Sequence, residues 1–277
     1  MTSTRSWLEI FLAVFNGIAA DRIFLIAAGV AFYTILALFP GIGAIVLIYG
    51  LFASPSNIAG HLDILSGFAP GGAVDVLREQ LTRLGYQNGA TLGFGFLVSL
   101  AIAMWSANAG VSGLFRGLDA VYGETEQRSF VGFYATTFAF TVGAIALVLL
   151  AFAILVAVPL ALDRIPDARV TAALLKVIRW PILLVLTASV LAVTYRYGPC
   201  RSAPQWRRVV GSSVVAAILW LGASALFSWY VASFGSYNKI YGSLGAIFGF
   251  MTWIWVSMVV VLVCAKLDFE LGRQSWR

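Results

Sequence analysis

From Gly132 to Leu160 the chain carries no charged side chain at all. A membrane-spanning helix needs about 20 mostly apolar residues. One uncharged run of this length already restricts the chain to folds that meet lipid. Five more mostly apolar runs follow, from about Ile26 to Phe52, Thr91 to Ser106, Leu174 to Tyr195, Val209 to Ser233 and Leu244 to Lys266, of which the one from Thr91 is short and rich in glycine. The composition agrees: 61% of the residues are hydrophobic and only 11% are charged, with a mean hydropathy of +0.92. Soluble domains carry about 25% charged residues, and their surface needs polar cover. In lipid every backbone polar group needs an internal partner, which leaves helices or closed barrels. Barrel strands are about ten residues of alternating polarity, far shorter than these runs. The sequence therefore predicts an all-α fold, a polytopic membrane bundle of about six transmembrane helices.

Less apolar segments surround the runs. Between Ser6 and Ala20, the residues Trp7, Ile10, Phe11, Val14, Phe15 and Ile18 recur at helical spacing. This predicts an amphipathic helix lying in the interface. A cleaved signal peptide is the competing reading, and Glu9 inside the run counts against it. Between Ser54 and Asn88, two short amphipathic helices are expected on either side of Pro70-Gly71-Gly72. The division expected is an interfacial segment over 1–25, a six-helix domain over 26–271 with an extracytoplasmic helical insertion at 54–90, and a cytoplasmic tail over 272–277. Six spans place both termini on one side. That side collects eleven Lys and Arg residues against seven on the other. The positive-inside rule makes it the cytoplasm, so both termini are expected there. The net charge of +6 then reflects orientation rather than nucleic acid.

Chemistry-bearing residues are sparse. There is one histidine, His61, and two cysteines, Cys200 and Cys264, without metal-ligand spacing. No phosphate-loop pattern occurs. No enzyme, cofactor or metal is expected. Polar groups in the runs are the better markers, because they tend to face the bundle or a water-filled cavity. Tyr33 precedes Pro40, where the first span is expected to break. That break reads either as a packing kink or as a binding site of the broken-helix kind. Ser106 and Asn108 close the second span. Beyond them Arg116, Asp119 and Tyr122 are spaced by three, with a local Arg116–Asp119 ion pair expected. They read as a solvated helix, a gate or a lipid-headgroup contact. Gly235, Tyr237, Asn238, Tyr241, Gly242, Ser243 and Gly245 mark a tight polar connection back into the membrane. Lys266 and Asp268 arrive at the end of the last span. There they either snorkel to headgroups or guard the mouth of a pathway.

The stretches AFYTILALFPGIGAIVLIYGLF, WSANAGVSGLFRGLDAVYGETEQRSF and FGSYNKIYGSLGA, in that order, resemble the BrkB/YihY family of bacterial inner-membrane proteins. The likeness runs from about Ile26 to Leu271. Phe32, Tyr33, Phe39 and Pro40 match its first motif. Arg116, Tyr122, Gly123, Arg128, Ser129 and Phe130 match the second, and Phe234 to Tyr237 with Tyr241 to Gly245 match the third. The family once bore a ribonuclease label, and this sequence carries no nuclease chemistry. Relatives usually have glutamate at the position of Lys266, and asparagine at those of Asp268 and Asp119. The resemblance implies a bacterial inner membrane and a family for which transport or envelope-lipid roles are proposed. Together with the broken first span, the glycine-rich second span and the polar FGSYNKIYGS hinge, the expectation is a transporter or translocator for lipid, lipid-linked or small substrates, without its own ATPase. The alternative is a structural or assembly protein of the envelope. The expected partners are membrane lipids, a second copy or envelope proteins, and no nucleic acid.

Overall fold

The computed structural model describes residues 7–52, 89–162, 169–200, 206–233 and 243–274. Among these, seven helices form and no strand. They are α1 (Trp7–Ala20), α2 (Ile23–Phe52), α3 (Gly89–Tyr122), α4 (Phe130–Leu162), α5 (Arg169–Tyr197), α6 (Trp206–Ser233) and α7 (Ser243–Gln274). Each apolar run lies in one of α2 to α7. Four segments are long and apolar enough to cross a bilayer: Phe94–Tyr122, Phe130–Leu147, Trp206–Val231 and Ile247–Gly272. The pair Leu8–Ala20 and Ile23–Leu38, bent by 55°, qualifies together as a fifth, and Pro181–Tyr197 is a shorter apolar helix. The chain is a helical membrane bundle. The two amphipathic helices expected between Ser54 and Asn88 lie outside the described residues.

The bundle is inside-out relative to a soluble protein. Phe15, Phe94, Trp105, Leu226 and Trp229 are exposed on its outside. In lipid, helices gain nothing from hiding such residues, so association rests on close backbone approach. Along α3, Ser106, Gly110, Gly113 and Gly117 fall on one face at spacings of four, three and four. A methyl group added at Gly117 would lie 2.7 Å from Ile26 Cγ2 and 3.3 Å from Leu262 Cδ2. One added at Gly113 would lie 3.4 Å from Val30 Cγ2. The small face of α3 is thus pressed against α2, with α7 alongside. Ile23, Leu118, Val121, Tyr195 and Leu262 fill the adjoining core. Trp255 of α7 donates its indole N–H to the Phe24 carbonyl of α2 at 3.1 Å.

Three local expectations change. Pro40 does not break the first span: α2 continues through it to Phe52. Proline deletes one backbone hydrogen bond, which a membrane helix tolerates when neighbouring groups take up the freed carbonyl. The second span does not close at Ser106, because α3 runs on to Tyr122. The polar residues beyond Ser106 lower hydropathy, yet Ser112, Asp119 and Tyr122 are buried. The expected single face of α1 is split. Ile10 and Val14 are buried, while Phe11 and Phe15 are exposed together with Leu8 and Leu12. Both sides of α1 are apolar, so one packs on protein and the other is left for lipid.

Candidate functional site

Polar side chains from five segments meet at one end of the bundle. The seam begins at the C-terminus of α3. Gly123 has φ +67°, a conformation natural to glycine. Glu124 N–H donates to Asp119 O at 2.9 Å and Gly123 N–H to Ala120 O at 3.2 Å, the pattern of a Schellman cap. This turn carries the chain to Arg128. Its Nη2 donates to the carbonyls of Tyr197, Gly198 and Pro199 at 3.1, 3.1 and 3.2 Å. Carbonyls at a helix end lack intrahelical partners and favour a cation, so Arg128 caps α5. Asp119, 5% exposed, accepts the Cys200 N–H at 2.7 Å. Gly198 lets the turn press on α3: a Cβ there would meet Leu118 Cδ1 at 2.9 Å.

The last turns of α7 complete the seam. Tyr122 donates its hydroxyl to Asp268 at 3.1 Å, and Tyr195 donates to the Val261 carbonyl at 2.8 Å. Lys266 Nζ stands 2.7 Å from Asp21 Oδ2, between α1 and α2. Its stem crosses Gly17, where an added methyl would lie 2.5 Å from the Lys266 Cε. Arg22 next to this joint has φ 52°, a left-handed conformation that costs a non-glycine residue about 1–3 kcal/mol. Glu270 is buried in the same region.

A second polar strip leads away from this end. Asn108, Ser112, Phe115 and Asp119 follow spacings of four, three and four and share the face of α3 opposite its glycines. Asn108 Oδ1 lies 3.5 Å from Thr141 Oγ1 on α4. Thr141 gives its proton to the Thr137 carbonyl at 2.8 Å. Ser112, Thr137 and Thr141 are all buried. Phe115 interrupts the strip and meets Phe140 edge-on at 4.9 Å. Among the described residues, Ser106 Oγ, Ser112 Oγ, Asp119 Oδ2 and Arg128 Nη1 are buried without a hydrogen-bond partner.

The structure thus unites Asp119, Tyr122, Lys266 and Asp268, and sets Asn108 on the strip that joins them. It separates the others. Arg116 is exposed, with its guanidinium 5.5 Å from the Phe133 ring centre. The expected Arg116–Asp119 pair does not form, because Asp119 is turned inward by the Cys200 N–H. Lys266 does not snorkel: it is 9% exposed and engaged with Asp21. Ser106 lies on the opposite, α2-facing side of α3. Tyr33 sits beside Gly110 on α2 and packs edge-on to Phe32. Gly235, Tyr237, Asn238, Tyr241 and Gly242 lie outside the described residues, while Ser243 and Gly245 open α7. His61 is also outside them. Cys200 and Cys264 are free thiols, and the described residues contain no cluster of three metal-ligating side chains. Sequence reasoning passed over Asp21, Arg128 as a cap, and Thr141. Asp21-Arg22 had one visible signal, adjacent charges between two apolar helices.

Comparison with known proteins fits this architecture. The chain is 28% identical over 258 residues to the ribonuclease-like protein YfkH of Bacillus subtilis, covering 90% of each chain. It is 25% identical over 265 residues to a UPF0761 membrane protein of Vibrio vulnificus, covering 93% of this chain and 80% of that one. A UPF0761 membrane protein of Haemophilus influenzae is 24% identical over 254 residues, covering 90% and 91%. No solved structure matches. The family model described as "Virulence factor BrkB" matches residues 14–276, nearly the whole chain. The chain therefore belongs to the BrkB family of membrane proteins.

Proposed function

We propose that the bundle is a translocator for a lipid, lipid-linked or small polar substrate, without its own ATPase. One observation carries this reading: the strip of Asn108, Ser112, Thr137 and Thr141 that approaches the polar end. Polar groups at membrane depth are costly and tend to line a pathway. The Phe115–Phe140 contact is the gate of that pathway. The role is non-enzymatic, a reading supported by the engagement of Asp21, Asp119 and Asp268 in contacts that join helices. The membrane is the bacterial inner membrane and both termini are cytoplasmic, supported by the excess of Lys and Arg at the polar end. The partners are membrane lipids, with a second copy or an envelope protein as the next candidates.

Liposomes holding the purified protein test this reading with fluorescent lipids and a panel of ions. Flux above empty liposomes is expected. Asn108→Leu should lower it about tenfold and Phe115→Ala should raise it. Silence from folded protein across the panel would sink unassisted transport. An envelope structural or assembly role would then stand, a reading favoured by the tight seating of Gly113 and Gly117 on their neighbours.

A further inference from the structure

A cleft of about 290 Å³ opens between the start of α6 and the end of α7. Arg207 and Arg208 line it, and Asp268 is the one carboxylate in its lining. Its walls include Val215, Leu267 and Leu271. Arg207 is exposed, whereas Asp268 is 3% exposed and already accepts the Tyr122 hydroxyl. Arg207 therefore gives the cleft a cationic mouth, to which the positive end of the α6 dipole adds, while Arg208 and Asp268 are engaged with neighbours behind it. Arg208 is seated by Gly272: a methyl added there would lie 3.1 Å from Arg208 Nη1.

The volume falls at the lower edge of ligand pockets, about 300–1,000 Å³. It suits a compact headgroup, not a whole amphiphile. The rest of such a ligand has somewhere to go. Arg208, Gly211, Ser212, Val215, Leu219 and Gly222 follow one another on a single face of α6. Val215 and Leu219 are 44% and 50% exposed. Added methyl groups at Gly211 and Gly222 would meet nothing within 4 Å. Gly211 leaves a notch beside the arginines, and this exposed, mostly apolar face continues into the membrane-crossing part of α6. A cation at the mouth and an exposed apolar helix face behind it match an anionic phospholipid, phosphate first and acyl chain along α6.

We propose that this cleft binds the phosphate headgroup of an anionic membrane lipid, with its acyl chain along the exposed face of α6. Arginine holds phosphate oxygens through paired N–H donors. The site stands whether or not the bundle transports anything, since its test reads binding rather than flux.

The full chain in zwitterionic nanodiscs would be titrated with short-chain phosphatidylglycerol, and separately with short-chain phosphatidylcholine and inorganic phosphate. Saturable binding of phosphatidylglycerol is expected. Its Kd should rise at least tenfold in Arg207→Gln/Arg208→Gln and in Gly211→Leu, which fills the notch beside the arginines. Phosphatidylcholine should bind at least tenfold more weakly, and millimolar phosphate should not compete. If the double variant fails to fold, Gly211→Leu still decides. Equal binding of both lipids, or binding unchanged in the folded variants, would overturn the site. Competition by inorganic phosphate, with no effect of Gly211→Leu, would overturn the lipid as its occupant.

Discussion

Lys266 reaches Asp21 across the seam between α7 and the α1–α2 joint, and both side chains are nearly buried, at 11% and 15% exposure. Removing one member of a buried ion pair leaves the other charge without compensation and costs about 3–5 kcal/mol. Replacing both with apolar residues is often close to neutral. Lys266→Met should therefore lower the unfolding midpoint in detergent micelles, and adding Asp21→Leu should restore most of it. A double variant as unstable as the sum of the singles would show that the two side chains act separately. The pair was hard to read from sequence. Lys266 near the end of an apolar run looks like a snorkelling lysine, and only the fold brings residue 21 to it.

α3 is the element on which the bundle depends, because its two faces do different work. Its glycine face sets the distance to α2, and its polar face looks toward α4. Gly117→Leu would place carbon where Ile26 and Leu262 already stand, and overpacking of this kind costs about 1–3 kcal/mol. Gly143→Leu on α4 adds the same side chain where a Cβ meets nothing within 4 Å. Thermal unfolding should drop for the first and stay near the parent for the second. Equal losses would mean that the added bulk itself, not contact with α2, sets the effect, since leucine has the better helix propensity at both sites. The apolar runs foretold the helices themselves well, since hydropathy follows from the solvent that a helix meets. They misplaced the end of α3. Asp119 and Arg128 look like exits from the membrane, but their partners lie in the Tyr197–Cys200 turn. Hydropathy cannot register a partner so distant in sequence. Pro40 misled in the opposite sense, because a missing N–H weakens a helix without ending it.

At the scale of the whole molecule, the described hydrogen bonds and ion pairs between distant segments concentrate at one end. The α1–α2 joint, the α3–α4 turn, the α5–α6 turn and the end of α7 meet there. If that end is cytoplasmic, a cysteine in the α3–α4 turn and one near the C-terminus share a compartment. In a background with Cys200→Ser and Cys264→Ala, Thr125→Cys and Ser275→Cys should both resist a membrane-impermeant thiol reagent in intact cells and react after permeabilisation. Labelling of either in intact cells would reverse the orientation. The Gly17, Asp21 and Lys266 contact also has a consequence for inheritance. A lysine at 266 needs both an opposite charge at 21 and a bare backbone at 17, so none of the three can drift alone. Relatives that carry an acid at 266 should have lost the acid at 21 and be released from glycine at 17. The three positions should be passed on as a single allele-like unit, visible as linked substitution wherever the family has diverged.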